Sequence, residues 1–106
     1  MIISNMEMKE IGYRTTVNGI PYYIPTRMMP GIERYINKGI PAGDFLMAVF
    51  ENNLTEAMGR ADEENFANLP AYAVYLRWEA PNGCWGSKEK INAWVERGGL
   101  EGGKKQ

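Results

Sequence analysis

The segment Tyr13-Arg14-Thr15-Thr16-Val17-Asn18-Gly19-Ile20-Pro21-Tyr22-Tyr23-Ile24 determines how the chain begins to fold. Residues 13–17 and 20–24 are rich in β-branched and aromatic side chains, which favour strands. Asn18-Gly19 tolerates the positive φ angles of a type I′ turn and therefore predicts a β-hairpin. Pro21 cannot donate a ladder hydrogen bond, so its strand is expected at a sheet edge. Because a two-stranded hairpin is marginal alone, it must pack on the rest of the chain.

Helical patterns follow the hairpin. Pro30 suits the first turn of a helix that runs to Lys38 and stops at Gly39, with Ile32, Tyr35 and Ile36 on one face. Pro41 opens what looks like the clearest helix of the chain, which weakens at Gly59. Its predicted apolar face consists of Phe45, Leu46, Val49, Phe50, Leu54, Ala57 and Met58.

Two further helices are predicted beyond residue 60. Asp62 is a candidate N-cap for a helix whose apolar stripe is Phe66, Leu69, Ala73 and Leu76. Pro70 predicts a kink there, or two shorter helices meeting at Leu69. Ser87 is expected to cap a last helix that carries Ile91, Trp94 and Val95 and ends at Gly98-Gly99.

The predicted fold class is mostly α (α+β), with an N-terminal β-hairpin followed by about four packed helices. The chain has 106 residues, which suits one domain over residues 1–100 and a flexible tail over residues 101–106.

Composition excludes several kinds of chemistry. The chain has no histidine and one cysteine, Cys84, so no catalytic pair or metal site can use an imidazole. We expect no metal, no cofactor and no catalytic residues. A net charge of −1 argues against long nucleic acid as a partner. The absence of a long apolar run argues against a membrane span or signal peptide and favours a cytoplasmic protein.

Three groups of residues are candidates for a binding site. The first is the loop Gly83-Cys84-Trp85-Gly86-Ser87, where Trp85 offers a stacking surface and Ser87 begins a helix whose N–H groups suit phosphate or carboxylate. The second is polar, with Asn53 and Arg60 spaced for one helix face and Asn65 beyond the next cap. The third consists of Tyr22, Tyr23 and Arg27 at the end of the hairpin.

Each group also has a structural interpretation. In most proteins with such a loop, the tryptophan is a core side chain and the serine is a helix cap, which are the structural roles of Trp85 and Ser87. Arg60 has the spacing for an ion pair with Glu56. Tyr22 and Tyr23 point to opposite faces of the sheet, so at most one packs inward, and the other suits an interface. The cysteine lacks a base, which makes Cys84 a poor nucleophile.

From Tyr23 to Gly99 the sequence resembles a family of small proteins encoded by phages and prophages. The resemblance is carried by Arg34-Tyr35-Ile36, Gly39-Ile40-Pro41, Gly43, Phe45-Leu46, Ala48-Val49, Asn53-Leu54, Arg60-Ala61-Asp62, Asn65, Ala80-Pro81, Cys84-Trp85-Gly86-Ser87 and Trp94. Asp44 stands where the family pattern has serine, and Ala42 where it has a second proline. The resemblance implies an accessory protein that acts inside an infected bacterium.

The leading functional hypothesis is a counter-defence protein that sequesters a nucleotide-derived immune messenger without turnover. The candidate ligand-binding residues are Tyr22, Tyr23, Arg27, Asn53, Arg60, Asn65, Trp85 and Ser87. The seven methionines and the thin core favour a homo-oligomer. An inhibitor or adaptor that binds a host protein is the alternative. A nucleotide-degrading enzyme that uses carboxylates is the third hypothesis.

Overall fold

The predicted hairpin forms around Asn18-Gly19. In the computed structural model, which describes residues 11–102, β1 (Ile11–Val17) pairs antiparallel with β2 (Ile20–Pro25). Asn18 and Gly19 have φ angles of 52° and 81°, as a type I′ turn requires. Within residues 11–102 the sheet has two strands, so both are edge strands there, which accommodates Pro21 as predicted.

The protein is mostly helical after this hairpin. Seven α-helical segments and two 3₁₀ turns lie in the described residues. The helices are α1 (Met29–Lys38), α2 (Asp44–Phe50), α3 (Leu54–Arg60), α4 (Glu63–Ala67), α5 (Leu69–Trp78), α6 (Lys88–Arg97) and α7 (Gly99–Gly102). The 3₁₀ turns are Thr26–Met28 and Asn82–Cys84.

The prediction of one long helix from Pro41 to Met58 is wrong. That region contains two helices, α2 and α3, because Asn52 adopts a left-handed conformation with φ 66° and Asn53 starts a new helix. The side-chain oxygen of Asn53 accepts the backbone N–H of Glu56 at 3.2 Å, as an N-cap does. Leu54 and Met58, predicted to face the core, are 65 % and 41 % exposed as a result.

The predicted division near Pro70 is confirmed, but the predicted apolar stripe across it is wrong in part. Phe66 is 50 % exposed and Ala73 is also exposed, whereas Leu76 is buried. The chain changes direction between α4 and α5, so a stripe drawn at constant helical spacing cannot continue across the break. The residues of α5 that face the core are Ala71, Tyr72 and Leu76.

The predicted helix caps are confirmed. Asp62 accepts the backbone N–H of Asn65 at 2.8 Å, and the Ser87 hydroxyl accepts that of Lys90 at 3.2 Å. Gly39 ends α1 in the left-handed conformation, with φ 71°. These local signals therefore fix the starts of α4 and α6 and the end of α1.

Tyr35 lies at the centre of the core and joins three parts of the chain. It is fully buried, and its ring packs against Phe50 with the centroids 4.3 Å apart. Its hydroxyl donates to the carbonyl oxygen of Cys84 at 2.8 Å, and its own carbonyl oxygen accepts the indole N–H of Trp94 at 3.0 Å. The loop before α6, α6 itself and α2 are thus held against α1.

The last helix packs closely against the end of α1. A Cβ atom on Gly99 would lie 2.6 Å from the backbone nitrogen of Gly39, so only glycine fits between the two chain segments.

The sequence predicts a tail from Glu101 onward, but Glu101 and Gly102 belong to α7, and Glu101 pairs with Lys38 at 3.7 Å. Predictions for residues 1–10 and 103–106 lie outside the described residues, so the domain limits remain a prediction.

Candidate functional site

A pocket of about 240 Å³ opens between α3 and α5 beside the loop that precedes α6. Its walls are mostly aliphatic and aromatic, with two asparagines and one arginine among them. The lining residues are Val49, Asn52, Asn53, Leu54, Ala57, Leu69, Tyr72, Ala73, Leu76, Arg77 and Trp85. An apolar hollow with a few polar groups is the usual form of a small-molecule site.

The helix break between α2 and α3 supplies the polar end of this pocket. Asn52 and Asn53 lie there because the chain turns at these two residues. The oxygen of the Asn53 side chain caps α3, but its amide nitrogen makes no hydrogen bond with the described part of the chain. The Asn52 side chain is likewise without a hydrogen bond to residues 11–102. Both amides can therefore bind a ligand without breaking a contact within these residues.

Arg77 is the charged residue among the lining residues that the structure describes. It lies in the last turn of α5, where the helix dipole favours a cation. Its guanidinium carbon lies 5.3 Å from the centre of the Trp78 ring. It forms no ion pair with any residue that the structure describes.

Trp85 contributes a wall of the pocket and carries an unpaired donor. Its indole N–H is buried and has no acceptor among the described residues. The loop around it is fixed, since Gly86 donates its backbone N–H to the carbonyl oxygen of Phe50 at 2.8 Å. Leaving a buried donor unpaired costs about 1–3 kcal/mol, so this side chain is held at an energetic cost.

Tyr72 is a buried aromatic residue of the lining and connects the pocket to the interior. Its hydroxyl donates to the side-chain oxygen of Asn65 at 2.6 Å. Burial raises the pKa of Tyr72 well above its ordinary value of 10.0, so the phenol stays protonated. It is therefore a hydrogen-bond donor rather than an acid–base group at neutral pH.

A second polar cluster, the hairpin network, joins β2 to α4. It consists of Tyr23, Arg27, Asp62 and Glu64. The Tyr23 hydroxyl donates to Glu64 at 2.6 Å, and Arg27 pairs with Glu64 at 2.9 Å and with Asp62 at 3.0 Å. Hydrogen bonds from Tyr23 and Arg27 lower the pKa of Glu64. Each of the four side chains thus contacts at least one of the others, which is the arrangement of a structural network.

The eight predicted site residues do not meet in one place. Asn53 and Trp85 line the pocket. Tyr23 and Arg27 belong to the hairpin network. Arg60 pairs with Glu56 at 2.7 Å and with Asp44 at 3.3 Å, so the predicted Glu56–Arg60 pair is confirmed.

The other three predicted residues have structural contacts. Asn65 is 3 % exposed and accepts the Tyr72 hydroxyl. Ser87 caps α6. Tyr22 is half-buried and packs against the core, so neither it nor Tyr23 is the exposed member of the pair.

Sequence reasoning missed Tyr72 and Arg77. The sequence pattern assigns Ala73 rather than Tyr72 to the apolar face of the helix, so Tyr72 is not among the predicted site residues. Arg77 gives no signal in the sequence, since a single arginine near a helix end is common, and only its place in the pocket lining makes it notable.

Cys84 is fully buried, and burial raises its pKa to about 12. The thiol is therefore protonated at neutral pH and inert as a nucleophile. A second, shallower hollow of about 410 Å³ lies between Met47 and Ile91. Residues 11–102 contain no group of three acidic or cysteine side chains placed to hold a metal ion.

No protein-family model, curated protein or solved structure matches this chain. Over the residues that the structure describes, none of the helices combines the length and apolar character that a membrane span needs.

Proposed function

We propose that the protein binds and sequesters a small nucleotide-derived ligand in the pocket between α3 and α5, without turnover. The observation that carries this proposal is the composition of the pocket lining. It offers the rings of Tyr72 and Trp85, two asparagine amides and one arginine, and none of its lining residues within 11–102 carries a carboxylate. A planar base suits apolar and aromatic walls, amides suit its polar edge, and a guanidinium suits a phosphate.

The size of the pocket limits how much of a ligand can enter it. Typical small-molecule pockets measure about 300–1,000 Å³. At about 240 Å³, this pocket suits one nucleotide unit. A larger messenger would place one of its units inside and leave the remainder outside.

Binding without turnover is favoured by the chemistry of the lining. General acid–base catalysis needs a group whose pKa lies near neutral pH. Arginine is always protonated in proteins, and burial keeps the Tyr72 phenol protonated. Apolar side chains and amides make up the remainder of the lining.

The proposed biological role is counter-defence during phage infection. It depends on the resemblance to phage- and prophage-encoded proteins, which implies an accessory function in an infected bacterium. Capture of a host immune messenger is a function that needs a pocket and no catalytic group.

A thermal-shift screen tests the proposal. Cyclic nucleotides, cyclic oligonucleotides and ADP-ribose derivatives would be offered to the purified protein. Ligand at about a hundred times its Kd adds about 2.7 kcal/mol, a shift on the order of ten degrees. The bound compound should be recovered unchanged after the protein is denatured, whereas a chemically altered compound would show an enzyme.

A matched pair of variants locates the binding site. Ala73→Trp fills the pocket from an exposed position, and Ala93→Trp makes the same change at an exposed position of α6 outside the lining. We expect Ala73→Trp to lose the thermal shift and Ala93→Trp to keep it. Retention of the shift by Ala73→Trp would remove the pocket as the site.

A protein-binding role is the second candidate, and the exposure of Trp78 favours it. Trp78 is 72 % exposed, and tryptophan is enriched among the residues that dominate protein interfaces. An inhibitor of a purified host defence protein should lose binding in Trp78→Ala and keep it in Ala73→Trp. The predicted homo-oligomer is tested by the mass of the purified protein in analytical ultracentrifugation.

A further inference from the structure

The pocket between α3 and α5 has an uneven distribution of charge. Among residues 11–102, Arg77 is its one charged lining residue, and it shares the lining with the neutral amides of Asn52 and Asn53. The part of the lining that the structure describes contains no carboxylate to offset it. An anionic group entering the pocket is therefore attracted to the α5 side.

The availability of Arg77 distinguishes it from the other arginine near the pocket-forming helices. Arg60, at the end of α3, is already paired with Glu56 at 2.7 Å and Asp44 at 3.3 Å. An anion would have to compete with two carboxylates to reach it. Arg77 has no such partner among residues 11–102.

Trp78 contacts the guanidinium of Arg77. The guanidinium carbon of Arg77 lies 5.3 Å from the centre of the Trp78 ring, which is the distance of a cation–π contact. The backbone here is fixed, because Glu79 and Ala80 both donate their N–H groups to the carbonyl oxygen of Tyr75. A guanidinium held in this way needs less ordering when an anion binds to its N–H groups.

We infer that Arg77, positioned by Trp78, is the anion-binding group of this pocket, and that the ligand class is a planar base carrying a single phosphate group. This inference rests on the proposed function. The base lies among Tyr72, Trp85 and the asparagine amides, and the phosphate lies at the opening against Arg77. One guanidinium matches one phosphate bidentately, so further phosphates contact solvent and contribute little.

Isothermal titration calorimetry with adenosine, AMP, cyclic AMP and ATP tests the inference. We expect AMP or cyclic AMP to bind about tenfold or more tightly than adenosine, since a charge-assisted bidentate contact adds that much. ATP should bind no more than a few-fold more tightly than AMP. The advantage of the phosphate should shrink as salt concentration rises.

Arg77→Gln and Arg60→Gln form a matched pair, because both remove one positive charge from an exposed helix end. Arg77→Gln should bring the affinity for AMP down to that for adenosine and leave adenosine unchanged. Arg60→Gln should leave both affinities unchanged. A loss of AMP binding in Arg60→Gln but not in Arg77→Gln would overturn the inference.

The role of Trp78 is that of a positioning residue, and it has its own readout. Trp78→Leu should weaken AMP binding several-fold without affecting adenosine, and Trp78→Phe should restore it, because phenylalanine keeps an aromatic face for Arg77. Equal weakening of AMP and adenosine in Trp78→Leu would instead indicate a structural effect.

The outcomes separate this inference from the proposed function. Equal affinity for adenosine and AMP in the natural protein overturns the anion site and leaves the proposed pocket standing. A flat titration with every probe, together with a flat thermal-shift screen, overturns both.

Discussion

Single side chains hold the hairpin to the helices. Tyr23 of β2 makes two such contacts, since its backbone N–H donates to the side chain of Asn68 at 2.9 Å and its hydroxyl donates to Glu64 at 2.6 Å. Asn68 is 7 % exposed and donates in turn to the carbonyl oxygen of Glu64. A short edge strand that is marginal alone is thus stabilised by polar contacts to α4 and α5.

The Tyr23–Glu64 contact predicts a pH-dependent contribution to stability. Hydrogen bonds from Tyr23 and Arg27 hold the pKa of Glu64 below its ordinary value of 4.5. A lowered pKa in the folded state stabilises the protein above pH 4.5, and this contribution is lost as the pH falls through the folded-state pKa. We expect Tyr23→Phe to lower the free energy of unfolding at pH 7 by about 1 kcal/mol.

Urea denaturation at pH 7 and at about pH 3 checks this prediction. The difference between the natural protein and Tyr23→Phe should shrink at the acid pH. Tyr22→Phe is the control, because its hydroxyl makes no hydrogen bond with the described residues. An equal difference at both pH values would show that Glu64 is not involved.

At the scale of the elements, short polar sequences decide where helices end. Asn52 has a φ of 66°, which glycine adopts without strain and asparagine tolerates better than most residues. The same residue type at Asn92 lies inside α6, where glycine is unfavourable. The break between α2 and α3 therefore depends on backbone conformation rather than on a tertiary contact of Asn52.

Substitution of asparagine by glycine should have opposite effects on the free energy of unfolding at Asn52 and Asn92. Asn52→Gly is expected to keep or raise the free energy of unfolding, whereas Asn92→Gly should lower it by about 0.5 kcal/mol. Asn52→Val should lower it by about 1–2 kcal/mol, because a β-branched side chain opposes the left-handed conformation. Chemical denaturation of the three variants checks this, and destabilisation by Asn52→Gly would contradict it.

The elements that sequence predicts well are those with local causes. Asn18-Gly19, Asp62, Ser87 and Gly39 each act within a few residues, and their turn or caps form as expected. The prediction of one helix from Pro41 to Met58 is wrong because the apolar spacing continues past Asn52, whereas the helical backbone ends before it. The prediction of which residues of α4 and α5 face the core is wrong in part for the same reason, since helical periodicity carries no information across a break.

At the scale of the whole molecule, the pocket could not be predicted from sequence. Its walls come from residues 49–57, 69–77 and 85, and nothing local indicates that these segments meet. Asn53 and Trp85 are predicted as binding residues from the sequence because each stands out within its own local segment. Arg77 and Tyr72 are recognised as candidates only because α3 and α5 border the same pocket.

The close contact between the end of α1 and the start of α7 provides a test of the overall packing. Gly99 has a φ of 70°, and a Cβ there would lie 2.6 Å from backbone atoms of Asn37, Lys38 and Gly39. Gly99→Ala should lower the free energy of unfolding by about 3 kcal/mol or more, from backbone strain and overpacking together. Thermal denaturation should show a correspondingly large fall in Tm.

Gly19→Ala is the matched control. Gly19 also has a positive φ, 81°, but a Cβ there would meet no atom within 4 Å. It should therefore cost only about 1 kcal/mol, the strain of the backbone alone. Equal costs at the two positions would show that the α1–α7 contact is looser than described.

The hydrogen bond from Trp94 to the carbonyl oxygen of Tyr35 spans 59 positions of the chain. Translation proceeds from the N-terminus, so a ribosome completes α1 long before it reaches the tryptophan that closes over it. Until then the nascent chain exposes the apolar face of α1 to chaperones and proteases. The native core therefore forms late in synthesis, because the hydrogen bond that joins α6 to Tyr35 cannot exist before Trp94 has been added.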